Sequence, residues 1–541
     1  MLALVLSALA MITGCSEDAG GVPGSGGAAT AGGSSGAIGG PGAGSSAGGA
    51  ISGGSGASST AGASSAGASG TQGGTAGASA GSAGMDAGGS AGASTAGTAG
   101  TSAGGSAGMG GSTAGGGSGG GEAGCKGGDY YVATDGNDSN PGTIDRPFAT
   151  LQKAIEASGP GDLVYVRGGT YMIRQGATAA AGVRFHKSGT SDTNRIRYFA
   201  CPGERPAFDF AELRIRPDPE YTTGFVVEGA WLHLKGFEVR NMPMNTRSNT
   251  AVGVSGGAHH DIFESMDIHH NNGSGMFIHT TQGGHQIINC DSHDNYDPRS
   301  HQGNGQNADG FGVHYQESGE VTTFRGCRAW YNSDDGWDFI SQEVPVVVEN
   351  SWAYANGYTD SGRSVPPDGN GNGFKIGSSK TGIRHVVRNS LAWANRASGF
   401  YANHSAGGND WFNNTSYDNG TQFNMLASSW DAAGNRTDGV ILTGNKVHRM
   451  RNNISFPLDN TNMQGVDAQF NSWDLGLAPA NTDFVSVDDT AARGPRKPDG
   501  SLPDTDFLKL RDGSRMIDKG TDVGLPFNGA AADLGAREHG G

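Results

Sequence analysis

Beyond about residue 225 the chain breaks into short apolar runs, and five of them share one pattern: Gly275-Met276-Phe277-Ile278, Gly310-Phe311-Gly312-Val313, Gly336-Trp337-Asp338-Phe339, Gly373-Phe374-Lys375-Ile376 and Gly399-Phe400-Tyr401-Ala402. Each glycine opens a strand. The first and third residues after it are apolar, and side chains alternate across a strand, so these two face a core and the middle one faces out. The outward column reads Phe277, Gly312, Asp338, Lys375, Tyr401.

A second register precedes these runs. Asn271, Asn295, Asn332, Asn356, Asn395 and Asn419 are spaced by 24, 37, 24, 39 and 24 residues. That is one basic repeat with two insertions, at Asp297 to Asn307 and Tyr358 to Asn370. Two places before each asparagine stands a ring: His269, His293, Trp330, Tyr354, Trp393, Tyr417. One place earlier comes Ile268 or a small residue: Ser292, Ala329, Ala353, Ala392, Ser416. A coil of this length with three short strands suits an all-β, right-handed parallel β-helix, each turn stacked on the last at about 4.8 Å. Asparagines in register can hydrogen-bond up and down such a stack, so their role is structural.

The solenoid needs a cap. Tyr130-Tyr131-Val132 reads as a strand, and Thr150 to Ile155 as a helix whose Leu151, Ala154 and Ile155 share one face. It stops at Gly159-Pro160-Gly161, and Leu163-Val164-Tyr165-Val166 is the next strand. A short helix here covers the first coil, which would otherwise expose its core.

Composition changes the picture only at the amino-terminal end. The 541 residues hold 97 glycines, crowded into the first quarter. Leu2 to Met11 is a run of ten residues, mostly apolar, too short to span a bilayer and suited to a signal-peptide core. It leads into Ile12-Thr13-Gly14-Cys15, which resembles a bacterial lipobox. Residues 1–15 are therefore expected to be a signal that leaves Cys15 lipidated, with 16–128 a disordered Gly/Ala/Ser/Thr linker and 129–541 the folded domain. Such a linker spans on the order of 50–60 Å. The chain is expected outside the cytoplasm, anchored at the bacterial surface through Cys15 or else secreted, and monomeric. Two pairs of cysteines remain. Cys290 and Cys327 fall at one position of consecutive coils, as a disulfide or as stacked thiols; Cys125 and Cys201 are placed to tie linker to cap.

The formal charge of -16 argues against nucleic-acid binding, since a phosphate backbone is gripped by clustered Lys and Arg. It also opposes an acidic substrate unless a bound divalent cation reverses the sign locally. The candidate for that is on the outward column. Asp338 and Lys375 fall on adjacent turns, Asp309 and Asp335 stack just before the glycines, and Asp334 completes Asp334-Asp335-Gly336-Trp337-Asp338. Four carboxylates on one patch repel, and a hard cation taking many oxygens, calcium, is the remedy. The nine histidines between His259 and His314 lack firm ligand spacing and read as turn and stacking residues. His404, beside Asn403 on the turn after Lys375, is a candidate substrate contact.

These residues carry a resemblance to the family 9 polysaccharide lyases, the pectate lyases of the β-helix group. Pro147 to Ile155 and Val166 to Tyr171 resemble that family's opening, and Asp518 to Gly524 with Asp533-Leu534-Gly535 its ending. The specific part is Asn307-Ala308-Asp309-Gly310, Ser333 to Asp338 and Gly371-Asn372-Gly373-Phe374-Lys375. The resemblance implies that Asp309, Asp334, Asp335 and Asp338 bind calcium and that Lys375 is the base in β-elimination of a pectate-like polysaccharide. A lysine acts as a base only when neutral, and an ordinary lysine pKa near 10.4 implies an alkaline optimum. Two alternatives are a polygalacturonase-type hydrolase on the same fold, whose Gly-His-Gly and Arg-Ile-Lys motifs are absent, and a non-catalytic polysaccharide-binding surface protein.

Overall fold

The structure, a computed structural model, describes residues 125–174, 180–301 and 303–541. The signal, Cys15 and the linker up to residue 124 lie outside the described residues.

Three parallel sheets wind around one core. The longest has 12 strands, from Tyr130–Val132 to Val466–Gln469, and the other two have 10 each. One of these runs from Gly169–Met172 to Ile454–Phe456; the other, from Ala181–Phe185 to Asn460–Thr461, carries the glycine-opened runs. Successive strands of the chain visit the three sheets in turn, which is the right-handed parallel β-helix the repeat predicts. The capping helix is Leu151–Ala157, buries Leu151, Ala154 and Ile155, and starts where the Thr150 side chain accepts from the Lys153 amide.

The expected register holds strand by strand. Phe277 pairs with Gly312, Gly312 with Asp338, Asp338 with Lys375 and Lys375 with Tyr401. The flanking apolar residues point inward and stack. Trp337 and Phe374 lie 4.6 Å apart, Phe374 and Phe400 5.0 Å, and Phe400 and Phe423 5.0 Å, with their ring planes nearly parallel.

At the bend each asparagine of the column bonds the next: Asn271 to Asn295 at 3.0 Å, Asn295 to Asn332 at 2.8 Å, Asn332 to Asn356 at 3.0 Å, Asn356 to Asn395 and Asn395 to Asn419 at 2.9 Å. The residue just before each one adopts a left-handed backbone although none is glycine; His270, Asp294, Tyr331, Ala355, Ala394 and Asp418 have φ of 50–56°. Such a conformation costs on the order of 1 kcal/mol and persists only where its surroundings over-determine it. The amide ladder does that. Replacing Asn332 with Ala deprives Asn295 of its acceptor and Asn356 of its donor in a dry site, and is expected to cost about 2–3 kcal/mol. A denaturant midpoint no lower than that of the unsubstituted chain would refute this role. A second ladder, Asn414 to Asn453 at 3.1 Å and Asn453 to Asn471 at 2.7 Å, was not apparent from the spacing.

The ring column stacks outside the core: His269 on His293 at 5.0 Å, His293 on Trp330 at 4.0 Å, Trp330 on Tyr354 at 5.4 Å and Tyr354 on Trp393 at 4.4 Å. The carboxy-terminal segment lies over its later part, with Phe507 5.0 Å from Trp393. Cys125 and Cys201 form a disulfide, while Cys290 and Cys327 are buried free thiols. Cys125, read from the sequence as part of the linker, is among the described residues and is tied to Cys201 beside the first coils.

Candidate active site

The outward column is not an open surface. Asp338 and Lys375 are only 4% exposed, and Asp309, Asp334 and Asp335 still less. They floor a cleft, because the two insertions the repeat marks off fold against each other beside them. The Asp368 amide donates to Asn304 O at 3.0 Å, and the Asn304 amide donates to the Asp368 carboxylate at 2.9 Å. Gln306, Asn307 and Asn370, from these insertions, line the cleft.

Within it Lys375 Nζ stands 3.2 Å from Asp335 Oδ2 and 3.3 Å from Asp338 Oδ2. Asp309, Asp335 and Asp338 each bring a carboxylate oxygen within 4.8 Å of the others. Asp335 is fixed by the backbone and side-chain nitrogens of Asn372, which donate to its Oδ1 at 2.7 and 2.9 Å. Its buried Oδ2 is ion-paired with Lys375 Nζ. Asp334 lies outside that set of three, its Oδ1 taking the Asn370 amide at 2.6 Å. Burial first, and then the neighbouring carboxylates, push Asp309 and Asp334 well above the ordinary range; burial raises Asp335 too.

Three converging hard oxygens, in a cluster with more acid than base, fit a calcium ion. Among the described residues, no trio that includes a histidine converges in this way, and the other close grouping, Cys125 and Cys201 with Glu204, has its two sulfurs in a disulfide.

The two candidate substrate contacts have different places. Asn403 Nδ2 lies 3.3 Å from Phe339 O and 3.5 Å from Asp338 Oδ1, so it braces the floor. His404 turns toward Ser428 Oγ at 3.1 Å and Asp438 Oδ1 at 2.9 Å. Both line the cleft, and both have left-handed backbones. His314, not singled out by its sequence position, is buried with Nε2 3.7 Å from Asp338 Oδ2. Burial, then the Lys375 charge, lowers it to about 3, so it is neutral at working pH. Trp430 and Arg436, also in the cleft, went unnoticed because they belong to no repeat.

Asp297, at the start of the first insertion, accepts from the Asn307 amide at 3.1 Å and Ser333 Oγ at 3.3 Å, and burial raises it to about 7. The folded state therefore holds this proton more tightly than the unfolded one. Its contribution is present below about pH 4 and is lost as pH rises to 7 and beyond. Asp297→Asn is expected to flatten the fall in thermal midpoint between about pH 5 and pH 8. Parallel curves for the two proteins would count against a buried Asp297 proton.

A lysine among buried carboxylates on the outer face of a parallel β-helix places the chain among polysaccharide lyases. Residues 130–462 match the Pel9A-like, right-handed β-helix region, and the chain belongs to that family. It is 37% identical over 419 residues to pectate lyase L of Dickeya dadantii (strain 3937), covering 76% of this chain and 90% of that one. The solved structure of pectate lyase Pel9A superposes with a TM-score of 0.62 at 36% identity, over 76% of this chain and 96% of that one. A solved rhamnogalacturonan lyase does so with a TM-score of 0.64 at 33% identity, over 71% and 96%. The hydrolase and binding-protein alternatives give way to a lyase.

Proposed function

We propose that the chain is a calcium-dependent pectate lyase that cleaves 4-linked galacturonan by β-elimination, with Lys375 as the base. The observation that carries this reading is Lys375 Nζ, set 3.2–3.3 Å from Asp335 and Asp338 on the cleft floor. Asp309, Asp335 and Asp338, with Asp334 beside them, would hold calcium, which when bound neutralises the uronate carboxylate and so acidifies the adjacent C5–H.

The chain's own groups supply the rest. Unprotonated Lys375 takes the C5 proton; the electron pair left behind forms the C4–C5 double bond as the bond from C4 to the glycosidic oxygen breaks. That oxygen leaves as the hydroxyl of the new chain end, taking a proton from solvent, and the other fragment ends in an unsaturated uronide. The packed insertions and the buried floor keep Lys375 in one orientation through its pairing with the two carboxylates. Rate rises with pH as the amine loses its proton.

Export and lipidation at Cys15 complete the proposal, supported by the apolar Leu2 to Met11 run ahead of Ile12-Thr13-Gly14-Cys15. Such a protein meets extracellular pectate while tethered to the cell surface.

The resemblance to the rhamnogalacturonan lyase favours one second reading, rhamnogalacturonan as substrate. Incubating the chain with polygalacturonate and with rhamnogalacturonan, and identifying products by mass, separates them. Unsaturated oligogalacturonides from the first support the proposal; products from the second alone replace its substrate, and saturated products would end the elimination mechanism.

A further inference from the structure

The described strands contain one antiparallel pair, Ser428–Trp430 with Arg436–Asp438, a hairpin outside the repeat. Trp430 and Arg436 are register partners across it, and both line the cleft that holds Lys375. The hairpin is fastened to the coil beside it. Asp438 Oδ1 accepts from Ser428 Oγ at 2.7 Å, and lies 2.9 Å from His404 Nδ1 and 3.0 Å from Arg436 Nε. Ser405 and Ala427 join by a bridge.

Its position is set by the same sheet as the base. Lys375 pairs with Tyr401, and Tyr401 with Asn424, at the end of the strand that leads into the hairpin. Two inter-strand steps, roughly 10 Å, separate Lys375 from that strand. This is the scale of a couple of sugar rings.

We propose that the hairpin is a subsite for a second uronate of the bound chain, with Arg436 taking its carboxylate and Trp430 its ring face. The proposal rests on the lyase reading above and extends it away from the scissile bond. A protein of charge -16 must still hold a polyanion. Among the described residues lining the cleft, Lys375 and Arg436 are the lysine and arginine, and Lys375 is committed to the floor. A guanidinium presents five N–H donors in a planar fork matched to a carboxylate, and an aromatic ring offers a face for the apolar side of a sugar. Asp438 orients Arg436 through Nε, while His404 and Ser428 hold Asp438 in turn, which makes His404 a positioning residue.

The test is calorimetric binding of hexagalacturonate and of its methyl ester to the full chain, carrying Lys375→Ala to stop turnover, with calcium present. Adding Arg436→Gln is expected to weaken binding of the acidic oligomer about tenfold and leave the methyl ester unaffected. Arg436→Lys should fall between, since it keeps charge without the fork. Trp430→Ala should weaken both ligands, and Trp430→Phe should restore most of the loss. Acidic-oligomer affinity within about twofold of the parent in both Arg436→Gln and Trp430→Ala overturns the subsite alone. A parent that binds no oligogalacturonate, with an unsubstituted chain that cleaves none, overturns the pectate reading and the subsite with it.

Discussion

Lys375→Ala is expected to lower kcat on polygalacturonate by about 10²–10⁴-fold while leaving calcium affinity intact or raised. Both halves follow from one geometry. The ammonium lies 3.2 and 3.3 Å from Asp335 and Asp338, so it competes with any cation that those carboxylates would hold. Removing it takes away the base and the competitor together. Lys375→Arg should not rescue activity, because a guanidinium stays protonated at any working pH. A merely structural lysine would behave otherwise: its loss would leave paired carboxylates stranded, unfold the cleft and weaken calcium binding along with turnover. Calcium titration and steady-state kinetics on the same samples distinguish the two.

Asp335→Asn carries the second large effect, at least about 100-fold in calcium affinity with a parallel loss of kcat/KM. Asp335 Oδ1 receives two donors from Asn372, and Oδ2 faces Lys375. An amide has one oxygen and one NH₂ group, so whichever way it turns a donor meets a donor. The charge is lost as well. Without metal the variant should lose only the cost of that buried donor–donor contact, about 1–3 kcal/mol. With metal the difference opens, because a ligand held only by the folded state stabilises it by about 2.7 kcal/mol at 100 times its Kd. Thermal midpoints with calcium and with chelator measure this. An Asp335→Asn protein that gains as much from calcium as the unsubstituted chain would remove Asp335 from the metal site.

The solenoid was legible because its physics is periodic. Alternation across a strand placed Asp338 and Lys375 on one column, and the recurring asparagines set the coil length, so both were read correctly without any contact being known. What covers the column was not legible. The insertions at 297–307 and 358–370 obey no repeat, and their mutual packing depends on contacts such as Asp368 with Asn304, across 64 residues of sequence. The column was therefore read as facing out of the core, with nothing to show that it floors a cleft. The same lack of repeat hid the hairpin carrying Trp430 and Arg436. Asp334, grouped with the other acids, lines the same cleft but falls outside the closest trio of carboxylates, and its Oδ1 accepts from the Asn370 amide. For the cysteines the register was right and the chemistry open: stacked positions allow a disulfide, and Cys290 and Cys327 remain thiols.

The most direct test is formation of unsaturated uronide by the full chain on polygalacturonate, followed by its ultraviolet absorbance, with calcium, with chelator, and after calcium is restored. The account predicts steady product formation that stops in chelator, returns on re-addition, rises toward alkaline pH, and is lost in Lys375→Ala. Undiminished turnover in chelator at neutral pH, or full activity without Lys375, would contradict it.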